Sequence, residues 1–239
     1  MDQAKKLPFG GLSAAALRNF AMVFMLLDHL WATIIPGNMW LTYVGRLAFP
    51  IFAFQIAEGY RHTHDLKAYK KRLLIFGLIS EIPFNFMTGG AAINPFHQNV
   101  MFTFVLGLLA IEQFEKMKEN PKGWKSYLKL LGIYLLAVIT FVDYGGMGVL
   151  TVLGFYIFRR QKWAQFAFML LLNQILFKGL GIPLNLFGVE IFLVTQAFSL
   201  FALPLIWLYN GEKGRGVNIG YWFYPLHMVV LVAIGMMIA

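Results

Sequence analysis

Four ionisable side chains lie in or beside the first two apolar stretches of the chain. They are Arg18, Asp28, His29 and Arg46. A charge inside a bilayer is costly unless it is paired or hydrated, so such residues mark a candidate functional site. An imidazole can act as a general base or a nucleophile, and a guanidinium can stabilise an oxyanion. These residue types predict either acyl transfer or a proton relay.

The spacing of these residues predicts a geometry. Arg18 and His29 are eleven positions apart, which on a helix places them on one face and roughly 16 Å apart. Asp28 does not face His29, because neighbours in sequence diverge around a helix. We therefore expect Asp28 to pair with Arg46 at a similar depth and to leave His29 to act as the base. Two plainer interpretations stay open: Arg18 reaches the cytoplasmic surface, and the Asp28 and Arg46 pair only clamps two helices.

Composition predicts an integral membrane protein. Hydrophobic residues make up 59% of the chain and charged residues 13%, whereas about 25% is usual in soluble domains. The net charge of +9 is concentrated at segment ends, which argues for membrane topology and against nucleic acid as a partner. The absence of cysteine excludes disulfides, zinc thiolates and cysteine nucleophiles. No metal site is predicted, since the histidines lack ligand spacing.

The apolar stretches predict an all-α polytopic bundle of about nine transmembrane helices, each near the 20 residues that a bilayer requires. We treat 1–239 as a single domain. Eight or ten crossings stay open, Pro204 is expected to kink the eighth helix, and Asn173, Gln174 and Lys178 dilute the seventh. The predicted helices are 13–36, 40–60, 69–88, 98–117, 126–142, 145–160, 162–180, 188–209 and 218–238.

The distribution of basic residues predicts the orientation. Eighteen of the 20 Lys and Arg residues fall on one side of the predicted helices, and such residues accumulate in cytoplasmic loops. The two exceptions are Lys178, in an opposite loop, and Arg46, predicted to lie within a helix. The N-terminus is therefore predicted to be cytoplasmic, with Lys5 and Lys6 on that side.

Further polar residues lie in or near the other predicted helices. Glu81 and His227 are expected near the midplane, and Glu58 near the cytoplasmic end of the second helix. Glu81 has a plainer interpretation, which is to satisfy backbone groups that Pro83 leaves unpaired. His62 and His64 are expected to belong to a solvated basic loop.

Several motifs recur in an order that resembles one membrane protein family. They are Leu17-Arg18, Met25-Leu-Leu-Asp28-His29, Gly45-Arg46-Leu-Ala-Phe-Pro50-Ile-Phe-Ala-Phe54, Glu58-Gly59, His62-Thr63, Tyr69 with Arg72-Leu73, Asn99 to Thr103 with Gly107, and Phe223-Tyr224-Pro225-Leu226-His227. The chain resembles the TraX family, whose namesake acetylates the N-terminus of F-pilin in the bacterial inner membrane. The spacing from Arg18 to His29 is also similar to the Arg/Lys-x10-His signature of the membrane acyltransferase-three family.

The resemblance implies a multi-pass acetyltransferase of the bacterial cytoplasmic membrane, with cytoplasmic acetyl-CoA as the donor. His29 is then the expected base or nucleophile, supported by Asp28 and Arg46, with His227 lining the same cavity. Arg18, Arg61, Lys70, Lys71 and Arg72 are expected to hold acetyl-CoA, because its nucleotide end is anionic. Glu81, Glu58, Tyr224 and Asn99 are expected to contact the acceptor.

Two other function classes stay open at this stage. The same polar residues suit a proton-coupled transporter or lipid flippase, which an inverted repeat would favour; the sequence shows no such repeat. A non-catalytic assembly factor would tolerate replacement of His29 by alanine. The acceptor is also open: a peptide amine, a glycan hydroxyl, a small molecule and a lipid head group all fit a polar cavity.

Overall fold

The computed structural model describes residues 10–177, 180–186, 188–215 and 220–238, so Lys5, Lys6 and Lys178 lie outside the described residues. The described chain is mostly helical, as predicted, with one β-hairpin. The α-helices are α1 Ala14–Thr33, α2 Met39–Gly45, α3 Ala48–His62, α4 Leu66–Gly89, α5 Val100–Glu119, α6 Trp124–Ile139, α7 Gly145–Ile157, α8 Lys162–Leu170, α9 Ala202–Trp207 and α10 Gly220–Ile238. A π-helix Leu171–Leu176, strands β1 Gly181–Leu186 and β2 Val189–Val194, and a 3₁₀-helix Thr195–Phe201 complete the secondary structure.

Helix α1 is the first predicted helix, and a local hydrogen bond defines its start. The Ser13 hydroxyl caps the start by accepting a hydrogen bond from the Ala16 N–H at 3.2 Å, which satisfies a donor that the helix itself cannot pair. One face buries Leu17, Ala21 and Met25. The same helix carries Arg18, Asp28 and His29, so it positions most of the predicted site.

The predicted second helix is wrong in one respect: it is divided into α2 and α3. Helix α2 ends where the Leu47 N–H donates to the Val44 carbonyl at 3.1 Å, an i to i−3 bond. Pro50 has no N–H with which to reach the Arg46 carbonyl, so an α-helical ladder cannot run through this point, whereas proline is tolerated in the first turn of α3. Arg46 therefore lies at the end of α2 and not inside a helix.

The predicted eighth helix is also wrong, because residues 189–194 form a strand. Strands β1 and β2 pair antiparallel, with Gly181 opposite Val194 and Asn185 opposite Glu190. Gly188 turns the chain at a φ of +85°, which favours glycine, and its N–H donates to the Asn185 side chain. The predicted seventh helix shortens to α8 and the π-helix. Pro204 lies in the first turn of α9 and does not kink a long helix.

The chain forms two compact units. The first comprises the described residues of Met1–Gln55 and Arg160–Gly220, and the second those of Ile56–Arg159 and Tyr221–Ala239. In the first unit, α1 packs on α2, and the 3₁₀-helix contacts α2, α8, the hairpin and α9. In the second unit, α5 packs against α4, α6 and α7.

Two stretches among the described residues are long and apolar enough to cross a bilayer. They are Met39–His62, which includes the break at Arg46, and Gly220–Ile238. Large apolar side chains are also exposed along α4, α6 and α10. On α6 these are Trp124, Tyr127, Leu128, Leu131, Leu135, Leu136, Val138 and Ile139.

Candidate functional site

The predicted pairing of Asp28 with Arg46 is confirmed. The Arg46 Nη2 atom lies 3.1 Å from the Asp28 Oδ1 atom, across the packed helices α1 and α2. The Thr42 hydroxyl donates to the same carboxylate oxygen at 2.7 Å and accepts from the Arg46 Nη2 atom at 3.1 Å. Their side chains are 18% exposed for Asp28 and 23% for Arg46. The three side chains form a partly buried polar cluster in which the Asp28 carboxylate compensates the charge of Arg46.

Gly45 allows the two helices to approach closely enough for this cluster. A Cβ atom at position 45 would lie 2.8 Å from the Asp28 Cα atom, closer than real side chains allow. Because the obstructing atoms belong to backbone and to a short side chain, the helices would have to separate. The residue before Arg46 is therefore part of the site's architecture.

We expect Gly45→Ala to lower the free energy of unfolding by about 1–3 kcal/mol, the usual cost of overpacking. The matched control is Gly132→Ala on α6, where a Cβ atom meets nothing within 4 Å; there alanine is expected to stabilise by about 0.5–1 kcal/mol. Chemical unfolding of the purified protein in detergent measures both. Equal effects of the two substitutions would contradict the close approach.

A cavity of about 120 Å³ adjoins the cluster within the first unit. Its polar lining includes Trp31 on α1, Thr42 and Arg46, and Thr195 and Gln196 on the 3₁₀-helix. Its apolar lining is Met39, Phe177, Leu180 and Val194. The indole N–H of Trp31 and both amide atoms of Gln196 are buried, and no described residue hydrogen-bonds them.

His29 and Arg18 lie on α1 as predicted, although neither lines this cavity. The His29 side chain is half-buried, and its backbone carbonyl accepts a hydrogen bond from the Thr33 hydroxyl at 2.6 Å. The Arg18 Nε atom is buried and has no acceptor among the described residues. Its Cδ atom lies against the backbone at Gly220. The roles predicted for these two residues stay predictions.

The other basic residues predicted to hold acetyl-CoA lie in the second unit, and two of them have carboxylate partners there. Arg61 Nη1 is 2.9 Å from the Glu58 carboxylate, which His62 also approaches at 3.5 Å. Lys70 pairs with Glu112. Lys71 and Arg72 are exposed. An anionic ligand at Arg61 or Lys70 would therefore compete with a carboxylate of the chain.

The residues predicted to contact an acceptor also lie in the second unit, and two of them bond each other. The Asn99 side-chain amide donates to Glu81 and to the Gly77 carbonyl at 2.8 Å, while its oxygen caps α5 at the Met101 N–H. Glu81 therefore stabilises the start of α5. No hydrogen bond among the described residues joins it to the backbone groups that Pro83 leaves unpaired.

Tyr224 and His227 are buried together on α10. The ring of His227 lies 5.9 Å from that of Tyr224 and stacks on Phe223 at 4.8 Å. The His227 Nδ1 atom bonds the Phe223 carbonyl at 2.7 Å. The cavity that His227 is predicted to share with His29 stays a prediction.

His97, which the sequence analysis did not single out, lies in the loop before α5 and faces the Asp143 carboxylate. Its Nε2 atom lies 3.6 Å from the Asp143 Oδ1 atom. The loop is held to the connection between α6 and α7 by backbone bonds of Gln98 to Phe141 and Asp143. The neighbouring Asp143 carboxylate raises the pKa of His97 above its usual value, although burial opposes this shift.

We expect this pair to make stability depend on pH. Because the pKa of His97 is raised in the folded protein, its contribution is fully present below the ordinary histidine pKa of about 6.5. It is lost as the pH rises through the higher folded-state pKa. Between roughly pH 6 and 8.5, the free energy of unfolding should fall more steeply for the native chain than for His97→Gln. Asp143→Asn should flatten the curve equally; a native slope retained in both variants would contradict the assignment.

Thr42, Trp31 and Gln196 are the site residues that sequence reasoning missed. Thr42 stands four positions before Arg46, a spacing at which helix side chains meet, and Trp31 stands three positions after Asp28. Those two could have been found from helix periodicity. Gln196 belongs to a segment far along the chain, so no local sequence pattern predicts its place at the cavity. Among the described residues, no group of three His, Asp or Glu side chains could hold a metal ion.

Comparison with known proteins places this arrangement in a family. The family profile described as TraX protein matches residues 13–235, which include α1, the Gly45-Arg46 turn and most of α10. The chain belongs to the TraX family. No solved structure matches the chain.

Curated relatives of this TraX-family protein carry two kinds of name. It is 30% identical to the probable fimbrial assembly protein FimC, serogroup H1, of Dichelobacter nodosus, over 92% of this chain and 94% of that protein. It is 26% identical to Protein TraX of Escherichia coli and also to that of strain K12, over 56% of this chain and 51% of each relative. The match therefore spans about half the length of the two TraX proteins but nearly all of FimC.

Proposed function

We propose that this TraX-family protein is an integral membrane acetyltransferase that moves an acetyl group from cytoplasmic acetyl-CoA to an amine or hydroxyl acceptor. The observation that carries the proposal is the compensated cluster of Asp28, Thr42 and Arg46 beside a cavity, with Asp28 next to His29 on α1. Family membership supports the reaction class, because the family's namesake is an F-pilin acetylase.

The roles follow from what each group can do. His29 takes a proton from the acceptor, which makes its nitrogen or oxygen a nucleophile toward the acetyl carbonyl carbon. The resulting oxyanion is stabilised by the Arg46 guanidinium, and collapse expels the CoA thiolate, which is protonated to the free thiol. Arg18, three turns below His29 on α1, holds the anionic end of the donor. His227 is a second proton carrier in this proposal.

The names of the relatives indicate the acceptor. FimC is a probable fimbrial assembly protein, and the family takes its name from a protein that modifies pilin, so we propose a pilus or fimbrial subunit as the acceptor. The amino group of that subunit is the proposed nucleophile. In its neutral form it adds no second charge beside the neutralised cluster. Small amines and glycan hydroxyls are outcomes of the same assay.

The bacterial inner membrane is the proposed location. The exposed apolar faces of α4, α6 and α10, the two stretches long enough to span a bilayer and the clustered basic loops support it. In this orientation the loop near Asn120 is cytoplasmic and the loop near Ala91 is outside.

The absence of cysteine from the chain makes the topology directly measurable. We expect a membrane-impermeant maleimide to label Ala91→Cys in intact spheroplasts and to label Asn120→Cys only after permeabilisation. Both side chains are exposed, so access to reagent is matched. Labelling of both cysteines before permeabilisation would overturn the multi-pass arrangement.

Release of CoA tests the reaction. Purified protein in detergent is incubated with acetyl-CoA and an N-terminal peptide of a fimbrial subunit, and the new thiol is counted with a chromogenic reagent; the chain itself supplies no thiol. Acceptor-dependent release is expected, and Arg18→Ala should weaken acetyl-CoA binding measured by calorimetry. Failure of the folded native protein to bind acetyl-CoA would overturn the donor and favour transport.

A further inference from the structure

The cavity beside Arg46 contains polar groups for which the proposed reaction has no use. The Trp31 indole offers one N–H, and the Gln196 amide offers a donor and an acceptor. Gln196 is 3% exposed, and no described residue bonds either of its amide atoms. Buried polar groups are usually paired, and unpaired ones are costly. A ligand that bonds both side chains removes that cost.

The charges around the cavity indicate that such a ligand is neutral. Among the described lining residues Arg46 is the cation, and the Asp28 carboxylate lies 3.1 Å from its Nη2 atom. The charge of Arg46 is already compensated by Asp28, so an anion in the cavity would lack a counter-ion of its own, and a cation would meet an indole N–H and apolar walls. Desolvating a charge without a counter-ion is expensive, so an uncharged ligand group is favoured.

The volume limits the size of the group. The cavity measures about 120 Å³, and an apolar cavity of about 150 Å³ accommodates benzene in another protein. A group of about six non-hydrogen atoms or fewer therefore fits. Met39, Phe177, Leu180 and Val194 provide apolar walls for its alkyl part.

We propose that this cavity binds an uncharged carboxamide group. Its carbonyl oxygen accepts from the Trp31 N–H, and its N–H, on the opposite side of a trans amide, donates to the Gln196 Oε1 atom. The inference rests on the proposed acyl transfer for the source of the amide. That source is either the pantetheine arm of an acyl-CoA donor or a peptide bond of the acceptor.

The test is a ligand-observed NMR titration of the full chain in detergent with three probes: pantetheine, N-acetylglycine N-methylamide and acetate. We expect at least one amide probe to bind saturably and acetate not to compete. Gln196→Met keeps the side-chain length and removes the amide, and Trp31→Phe keeps an aromatic ring and removes the N–H. Each should weaken binding by up to about tenfold, the effect of one hydrogen bond.

Gln113→Met is the matched control, since Gln113 is another buried glutamine with an unpaired oxygen but belongs to the second unit. It should leave binding unchanged. Binding of pantetheine alone assigns the amide to the donor, and binding of the peptide amide alone assigns it to the acceptor. Absence of binding by either amide, equal binding of acetate, or unaltered binding in both Gln196→Met and Trp31→Phe overturns the proposal.

The same variants separate this inference from the proposed reaction. If the native protein binds an amide probe but releases no CoA with any acceptor, the reaction is overturned and the carboxamide site stands. If CoA is released and the KM values for donor and acceptor are unchanged in Gln196→Met and Trp31→Phe, the carboxamide site is overturned and the reaction stands.

Discussion

Replacing Arg46 with methionine is expected to lower the free energy of unfolding by about 2–4 kcal/mol and to abolish acetyl transfer. The Asp28 carboxylate then loses the cation 3.1 Å away, and breaking one partner of a buried ion pair costs about 3–5 kcal/mol. The partial exposure of both side chains reduces that figure. Chemical unfolding in detergent and CoA release measure the two effects.

A double-mutant cycle distinguishes the loss of the charge from the loss of packing. Asp28→Asn keeps a hydrogen-bond acceptor for Thr42 and removes the charge, so the double variant with Arg46→Met should recover much of the stability but none of the activity. Arg46→Lys should be intermediate, because one ammonium cannot reproduce the planar contacts to Asp28 and Thr42. Additive losses in the double variant would show that the pair does not couple α1 to α2.

Replacing His29 with glutamine is expected to slow acetyl transfer by roughly 100-fold to 10,000-fold, the range for loss of a general base. The half-buried imidazole is replaced by a polar side chain of similar size, so unfolding should change little. Acetyl-CoA binding should persist, since Arg18 lies about 16 Å along the helix from this position. Calorimetry and CoA release together separate binding from chemistry.

His64→Gln is the matched control, because His64 is exposed in the loop between α3 and α4. It should leave the rate of CoA release unchanged. Full activity of His29→Gln would remove His29 from the mechanism and favour an assembly role. A release of CoA that saturates at one equivalent per protein would instead identify an acyl-enzyme intermediate.

Much of the helical fold and the central ion pair could be predicted from the sequence. Segment length locates α1, α4, α5, α6, α7 and α10, because apolar runs near 20 residues have few other structures open to them. The similar depth of Asp28 and Arg46 in the first two predicted helices predicted that they would pair. That prediction succeeded because an isolated charge in an apolar segment needs a partner, and few candidates exist at that level.

The remaining errors have local causes. Length alone treated residues 188–209 as a helix, although Gly181 and Pro183 lie just before this stretch, Gly188 begins it and Val189–Val194 is rich in β-branched residues. Pro50 was recognised as part of a motif but not as the end of the α2 ladder. Gln196 could not be predicted, because its place beside Trp31 depends on tertiary packing between distant segments.

The turn between α2 and α3 has a consequence for the evolution of the family. Each inserted residue would rotate the helix that follows by about 100° and turn the buried side chains at the start of α3, such as Ile51 and Ala53, away from their present neighbours. We therefore expect insertions and deletions to be absent between Gly45 and Pro50 in an alignment of homologues. The exposed connection around Asn120, by contrast, should vary freely in length.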